Sequence, residues 1–136
     1  MKYLLDVNAL IALGVLEHEF HVRVFQWVAG LTSNGRPDLA TCSITELGFV
    51  RVLAQAPQYG FTVRQACGLL QQLKVAGVVN FSFIPDGLVI SHLPIWVKSA
   101  KQTTDGHLAQ LASANAPILP TLASGIPRAY LIPAER

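Results

Sequence analysis

Eight acidic residues are spread over this 136-residue chain, and three of them do not fall where solvated charges belong. Glu17, Glu19, Asp38, Asp86 and Glu135 lie among polar or turn residues; Asp6, Glu46 and Asp105 do not. Asp6 follows Tyr3-Leu4-Leu5, a run that reads as a short buried strand. Glu46 shares a helical stripe with Phe49, Val50 and Leu53, and Asp105 leads Leu108, Ala109 and Ala112 on another. A carboxylate at such a position is costly unless something positive meets it. Carboxylates brought together repel, so they must take up protons or bind a cation. Hard oxygen ligands with open positions suit Mg²⁺ or Mn²⁺. Such ions activate water and stabilise charge during attack on a phosphodiester. Taken singly, each acid has a plainer explanation. One in the first turn of a helix complements the macrodipole by about 0.3–1 kcal/mol, and Asp6 can simply accept hydrogen bonds from local backbone N–H groups.

The elements that would have to bring the three together can be read in order. Asn8 is a good N-cap for an apolar helix over Ala9–Leu16. A second helix is expected from about His18 to Ala29, with Phe20, Val24, Trp27, Val28 and Leu31 at helical spacing. Ser33-Asn-Gly-Arg-Pro37 is turn chemistry, and Leu39–Cys42 a second strand. A third helix starts at Ser43 or Thr45 and ends before Pro57–Gly60. Thr62 with Gln65 has the form of a capping box for a fourth, whose apolar face is Val63, Ala66, Leu70 and Leu73. Val78–Ile84 is rich in β-formers, and Leu88–Lys98 is expected as two short helical pieces broken at Pro94. Thr103 or Thr104 caps a helix over Asp105–Asn115, Pro117–Thr121 is strand-like, and the Pro-Arg-Ala-Tyr-Leu-Ile stretch supplies a last strand. Short strands separated by helices predict an α/β fold: a mainly parallel sheet with helices on both faces, in one domain. Asp6, Glu46 and Asp105 each open a helix after an expected strand. If those strands are parallel neighbours, the carboxylates converge at the sheet's carboxyl edge, where open α/β sheets bind ligands.

Composition sets the outer bounds. Hydrophobic residues make up 51% of the chain and charged ones 13%, which excludes a disordered segment. A net charge of +2 neither announces nor forbids a nucleic-acid partner. No basic-then-apolar leader and no membrane-length apolar run is present, so a cytoplasmic protein is expected, with Cys42 and Cys67 as buried free thiols. The apolar richness leaves room for an exposed patch suited to a partner or a dimer.

Other constellations are weaker. His18 and His21 stand three apart, while His92 and His107 are scattered; without cysteine partners they make a poor zinc site, though His107 closely follows Asp105. Ser43 and Thr45 beside Glu46 are better explained as caps than as nucleophiles. Leu122-Ala-Ser-Gly125 matches no phosphate-binding loop. Arg51, Lys98, Lys101 and Arg128 flank the acids in sequence and are candidate phosphate contacts.

Three segments carry a resemblance: Leu4-Leu-Asp-Val-Asn-Ala-Leu-Ile-Ala-Leu13, Ala40-Thr-Cys-Ser-Ile-Thr-Glu-Leu-Gly-Phe-Val-Arg-Val-Leu53 and Thr104-Asp-Gly-His-Leu-Ala-Gln-Leu-Ala112. Ile118-Leu-Pro-Thr-Leu-Ala-Ser-Gly-Ile126 matches in outline. Together they make the chain resemble PIN-domain ribonucleases, most closely the VapC-like toxins of toxin–antitoxin pairs, over nearly its whole length. The resemblance implies a single PIN-like three-layer domain over residues 1–136. It further implies an endoribonuclease holding Mg²⁺ or Mn²⁺ on Asp6, Glu46 and Asp105, with Asn8 orienting Asp6 or bound water. A cognate antitoxin, an RNA substrate and a homodimer are implied as partners. One departure stands out. The family's usual fourth acid falls at Ala123 in Thr121-Leu122-Ala123-Ser124, which implies weakened or absent cleavage. The rival expectation is a PIN-like binding module for antitoxin or RNA without chemistry; a small-molecule phosphohydrolase using the same acids is a third.

Overall fold

The computed structural model describes residues 1–77, 79–115 and 117–134. Strand β1 (Lys2–Leu4) leads into α1 (Val7–Gly14) and α2 (His21–Leu31). Strand β2 (Asp38–Thr41) is followed by α3 (Ser43–Gln55) and α4 (Val63–Val75). Then come β3 (Asn80–Phe83), α5 (Thr103–Asn115), β4 (Pro120–Thr121) and β5 (Tyr130–Leu131).

The pairing is parallel throughout. Leu4 stands opposite Ala40, Thr41 opposite Phe83 and Thr121 opposite Leu131. Leu4 N–H donates to Ile118 O at 2.8 Å and Ile118 N–H to Lys2 O at 2.9 Å, so the stretch entering β4 lies beside β1. The strand order is therefore β3-β2-β1-β4-β5. The chain builds outward from β1 in one direction, then jumps across β1 to build in the other. That reversal makes the gap between the ends of β1 and β4 a topological switch point.

Alternation along the strands sorts the core into two layers. Leu5 and Leu39 face one side, packing with Leu10, Phe49, Leu53 and Leu70 of α1, α3 and α4. Leu4 and Ala40 face the other, with Leu108, Leu111 and Ala112 of α5. The three-layer α/β architecture is as expected from the pattern of elements.

Local differences have identifiable causes. Asp6, not Asn8, caps α1: its side chain accepts Ala9 N–H, and Asn8 is exposed inside the first turn. Asp6 is already extended (ψ 175°) when the chain turns helical, so the helix begins two residues early. The α2 helix starts only at His21, after turns at His18 and Phe20, so His18 and His21 do not share a helix face. The capping box at Thr62 and Gln65 is present as read. Thr103 and Thr104 cap nothing: a 3-10 turn over Ala100–Gln102 runs straight into α5, and its capping box joins Ser99 to Gln102. Between Leu88 and Lys98 the expected helical pieces shrink to the 3-10 turn Ile90–His92 and a single turn closed by Val97 N–H on Pro94 O, because Pro94 denies a longer helix its backbone donor. Cys42 is buried, but Cys67 is exposed, against expectation. Val78 and Glu135 lie outside the described residues.

Gly48 permits the close approach of α3 to α1. A Cβ at this position would come within 2.5 Å of Val7 Cγ2, and Val7 is the residue after Asp6. Gly48→Val is therefore expected to cost about 2–3 kcal/mol in denaturant unfolding by overpacking. Adding Val7→Ala, which removes the struck methyls, is expected to return part of that loss.

Candidate functional site

Three parallel strands end at the same edge of the sheet, and each hands a polar residue to it. Asp6 follows β1, α3 begins directly after β2, and Asp86 follows β3. A helix that returns the chain to a parallel strand must run from the carboxyl edge back to the amino edge. The start of α5, with Asp105, is thereby placed at that edge as well, and Thr121 reaches it as the last residue of β4.

Asp6 is the most enclosed of the acids, with 7% of its surface exposed. One carboxylate oxygen accepts Ala9 N–H at 2.8 Å; the other accepts the Thr121 hydroxyl at 2.7 Å. That second bond spans the switch point and ties β1 to β4. Burial pushes the Asp6 carboxyl above its ordinary range, the two hydrogen bonds pull it partly back, and the negative charge of Asp105 pushes it up again. Burial likewise raises Asp105. The charge of Asp105 thus opposes the ionisation of Asp6.

Glu46 lies in the first turn of α3, half-buried. Its Oε2 accepts the Thr41 hydroxyl at 2.6 Å and an ion-paired hydrogen bond from Lys74 Nζ of α4. Among the described residues, no group of three or more His, Cys, Asp and Glu side chains is gathered so as to hold a metal ion together. Asp6 and Asp105 thus stand at the carboxyl edge of the sheet, and Glu46, which starts α3 there, is engaged by Lys74. Asn8 is exposed beside Asp6 on the first turn of α1; the bonds to Asp6 come from Ala9 and Thr121.

The chemistry of this donor set fits a hard divalent cation at Asp6 and Asp105. Both are carboxylates, both are raised by desolvation, and a positive charge between them would relieve the repulsion that Asp6 feels. Glu46 adds a third carboxylate at this edge, with its Oε2 already shared by the Thr41 hydroxyl and the Lys74 ammonium.

Several participants escaped the sequence reading. Lys74 had a signal: it continues the Ala66, Leu70 spacing by one more turn, so a cation stands on the buried stripe of α4. The hydroxyls of Thr41 and Thr121, both fully enclosed, had none beyond being polar residues at strand ends. Asp86 is not a solvated turn residue; it is ion-paired with His107 of α5, at side-chain exposures of 12% and 18%. Burial pushes the Asp86 carboxyl up, but the hydrogen bonds from His107 and Leu88 N–H and the charge of His107 outweigh it, leaving it below its ordinary range. The pair fastens the loop after β3 to the first turns of α5. His18 and His21 serve structure: His18 Nδ1 accepts Phe20 N–H, and His21 Nδ1 bonds Ala12 O. Arg51, Lys98, Lys101 and Arg128 are all exposed.

A cavity of about 500 Å³ adjoins Glu46 between α3 and α4, lined by Ser43, Leu47, Val50, Cys67, Leu70, Gln71, Lys74 and Phe83. Leu47 and Phe83 are exposed by 70% and 48%, so one wall of it is open and apolar. None of the described helices is long and apolar enough to cross a membrane.

No family model matches the chain. Individual proteins do. Ribonuclease VapC38 of Mycobacterium tuberculosis (strain ATCC 25618 / H37Rv) is 35% identical over 125 residues, covering 90% of this chain and 86% of that protein. Ribonuclease VapC29 of the same strain is 33% identical over 127 residues (93% and 89%). Ribonuclease VapC44 is 37% identical over 121 residues (85% and 81%). Among solved structures, VapBC2 from Rickettsia felis bound to a DNA fragment from their promoter superposes with a TM-score of 0.58. It covers 96% of both chains at 15% identity, a likeness of fold. With identities of 33–37% to these ribonucleases along most of its length, the chain belongs to the VapC ribonuclease family.

Proposed function

We propose that this protein is a metal-dependent endoribonuclease, the toxin of a toxin–antitoxin pair, acting in the cytoplasm on RNA phosphodiesters. Asp6, Asp105 and Glu46 hold Mg²⁺ or Mn²⁺ at the carboxyl edge of the sheet, and Asn8 faces the water around it. The observation that carries this reading is the pair Asp6 and Asp105, two desolvated carboxylates set against each other at the switch point. When bound, the cation supplies an activated water and charge stabilisation at the phosphate. The chain's own part is to hold the carboxylates: Thr121 and Ala9 fix both oxygens of Asp6, and the paired His107 and Asp86 steady the start of α5. The exposed Arg51, Lys98, Lys101 and Arg128 are the candidate contacts to the RNA backbone.

The partner side of the proposal is an antitoxin, supported by the open apolar wall beside Glu46 and by the VapBC2 likeness. Exposed Leu16, Ile90 and Ile95 leave apolar surface for a homodimer. A second reading, a binding module without chemistry, is favoured by Ala123 at the fourth acidic position and by the engagement of Glu46 with Lys74.

Cleavage of RNA by the purified protein separates the two. The expected result is cleavage with Mn²⁺ or Mg²⁺ that stops in excess chelator. Cleavage undiminished by chelator overturns the metal mechanism, and its absence with either ion favours the binding module.

A further inference from the structure

The ion pair between Lys74 and Glu46 joins α4 to the first turn of α3, and neither partner is exposed by more than 30% of its side chain. Thr41 donates to the same carboxylate oxygen that Lys74 contacts, Oε2. A buried hydroxyl and an ammonium therefore hold Glu46 in one orientation. Lys74 is poorly placed to be an ordinary surface charge. It occupies the third position of the stripe that buries Ala66 and Leu70, with its stem along the cavity wall beside Leu70 and Gln71. That geometry presents a cation to Glu46 from the cavity wall.

We propose that Lys74 is a positioning residue for Glu46, an internal counter-ion that fixes the third carboxylate and competes with a divalent cation for it. This rests on the reading of Asp6, Glu46 and Asp105 as one cation site. An ammonium and a hard divalent ion make the same electrostatic demand on a carboxylate oxygen, so each lowers the occupancy of the other. Asp6 and Asp105, which have no such partner among the described residues, form the standing part of the site. Glu46 is then the part whose pull on a cation Lys74 weakens, since the ammonium already occupies its Oε2.

Mn²⁺ titration of the full chain, followed by the electron paramagnetic resonance of the free ion, tests this without reference to cleavage. Lys74→Met is expected to tighten Mn²⁺ binding by roughly three- to tenfold, and Lys74→Arg to leave it near the parent value. The tightening is expected to vanish when Glu46→Gln is also present, because the competition then has no object. A Lys74→Met effect that persists in the Glu46→Gln background, or no effect at all, overturns the proposal. Failure of the underlying reading looks different: Mn²⁺ binding that survives Asp6→Asn unchanged means the ion is not at these acids.

Discussion

Replacing Asp6 with Asn is expected to abolish RNA cleavage and, at neutral pH, to raise the melting temperature of the metal-free protein. The two effects share one cause. Asn keeps the capping oxygen for Ala9 N–H and can donate its amide to the Thr121 hydroxyl, so both hydrogen bonds of Asp6 have a replacement. What it removes is a charge that the fold penalises, first by burial and further by Asp105. The sign follows from linkage. A carboxyl whose folded pKa lies above its unfolded value contributes stability fully present below the unfolded value and lost as pH rises through the folded one. The stabilising effect of Asp6→Asn is therefore largest at neutral pH and fades as the solution is taken down through the carboxylate range. The cost falls on function. Removal of an outer-shell partner typically lowers metal affinity or activity 10–100-fold, so loss of a ligand itself is expected to cost more than about a hundredfold. Calorimetric scans at several pH values, beside the cleavage assay, check both. A lower melting temperature at neutral pH would show that the Asp6 charge is satisfied by the fold itself.

Placing an acid at residue 123 is expected to have the second large effect. The Ala123 N–H donates to Thr121 Oγ1 at 3.1 Å, and that hydroxyl in turn donates to Asp6. Residue 123 is thus two hydrogen bonds, through Thr121, from the buried carboxylate, and is itself exposed. Ala123→Asp is expected to raise the Mn²⁺-dependent cleavage rate by about tenfold or more, corresponding to about 1.4 kcal/mol or more of barrier. The same added charge should destabilise the metal-free protein at neutral pH, since a further carboxylate near Asp6 and Asp105 adds to their repulsion. The rise in melting temperature on adding Mn²⁺ should grow accordingly. A rate and a Mn²⁺-induced shift both unchanged from the parent would mean that residue 123 does not face the ion.

The periodicity of the chain was enough to expect the three-layer sheet. Leu4 and Leu5 point to opposite layers, as period two demands, and Phe49 and Leu53 lie on one buried face of α3. That Asp6, Glu46 and Asp105 each start a helix was equally legible, because position along a helix is local; a shared sheet edge followed only if the strands paired as parallel neighbours, as β1, β2 and β3 do. Their partners were not. Thr121 meets Asp6 across 115 residues, and Lys74 meets Glu46 across 28. Such pairings depend on strand order, which no local pattern encodes. The cap of α1 went to Asp6 instead of Asn8 for a related reason: both are good caps, and only the path of the chain off β1 decides between them. Asp86 reads as a turn residue from its Pro and Gly neighbours, yet His107 draws it into an ion pair that only the packing of α5 provides.

All of this depends on Asp6 and Asp105 acting as one cation site. Anomalous diffraction from a crystal soaked in Mn²⁺ addresses that directly. The expected result is a single strong peak about 2.1 Å from a carboxylate oxygen of each of Asp6 and Asp105. A Mn²⁺ peak elsewhere on the protein, with those two carboxylates bound only to Ala9, Thr121 and solvent, would contradict it.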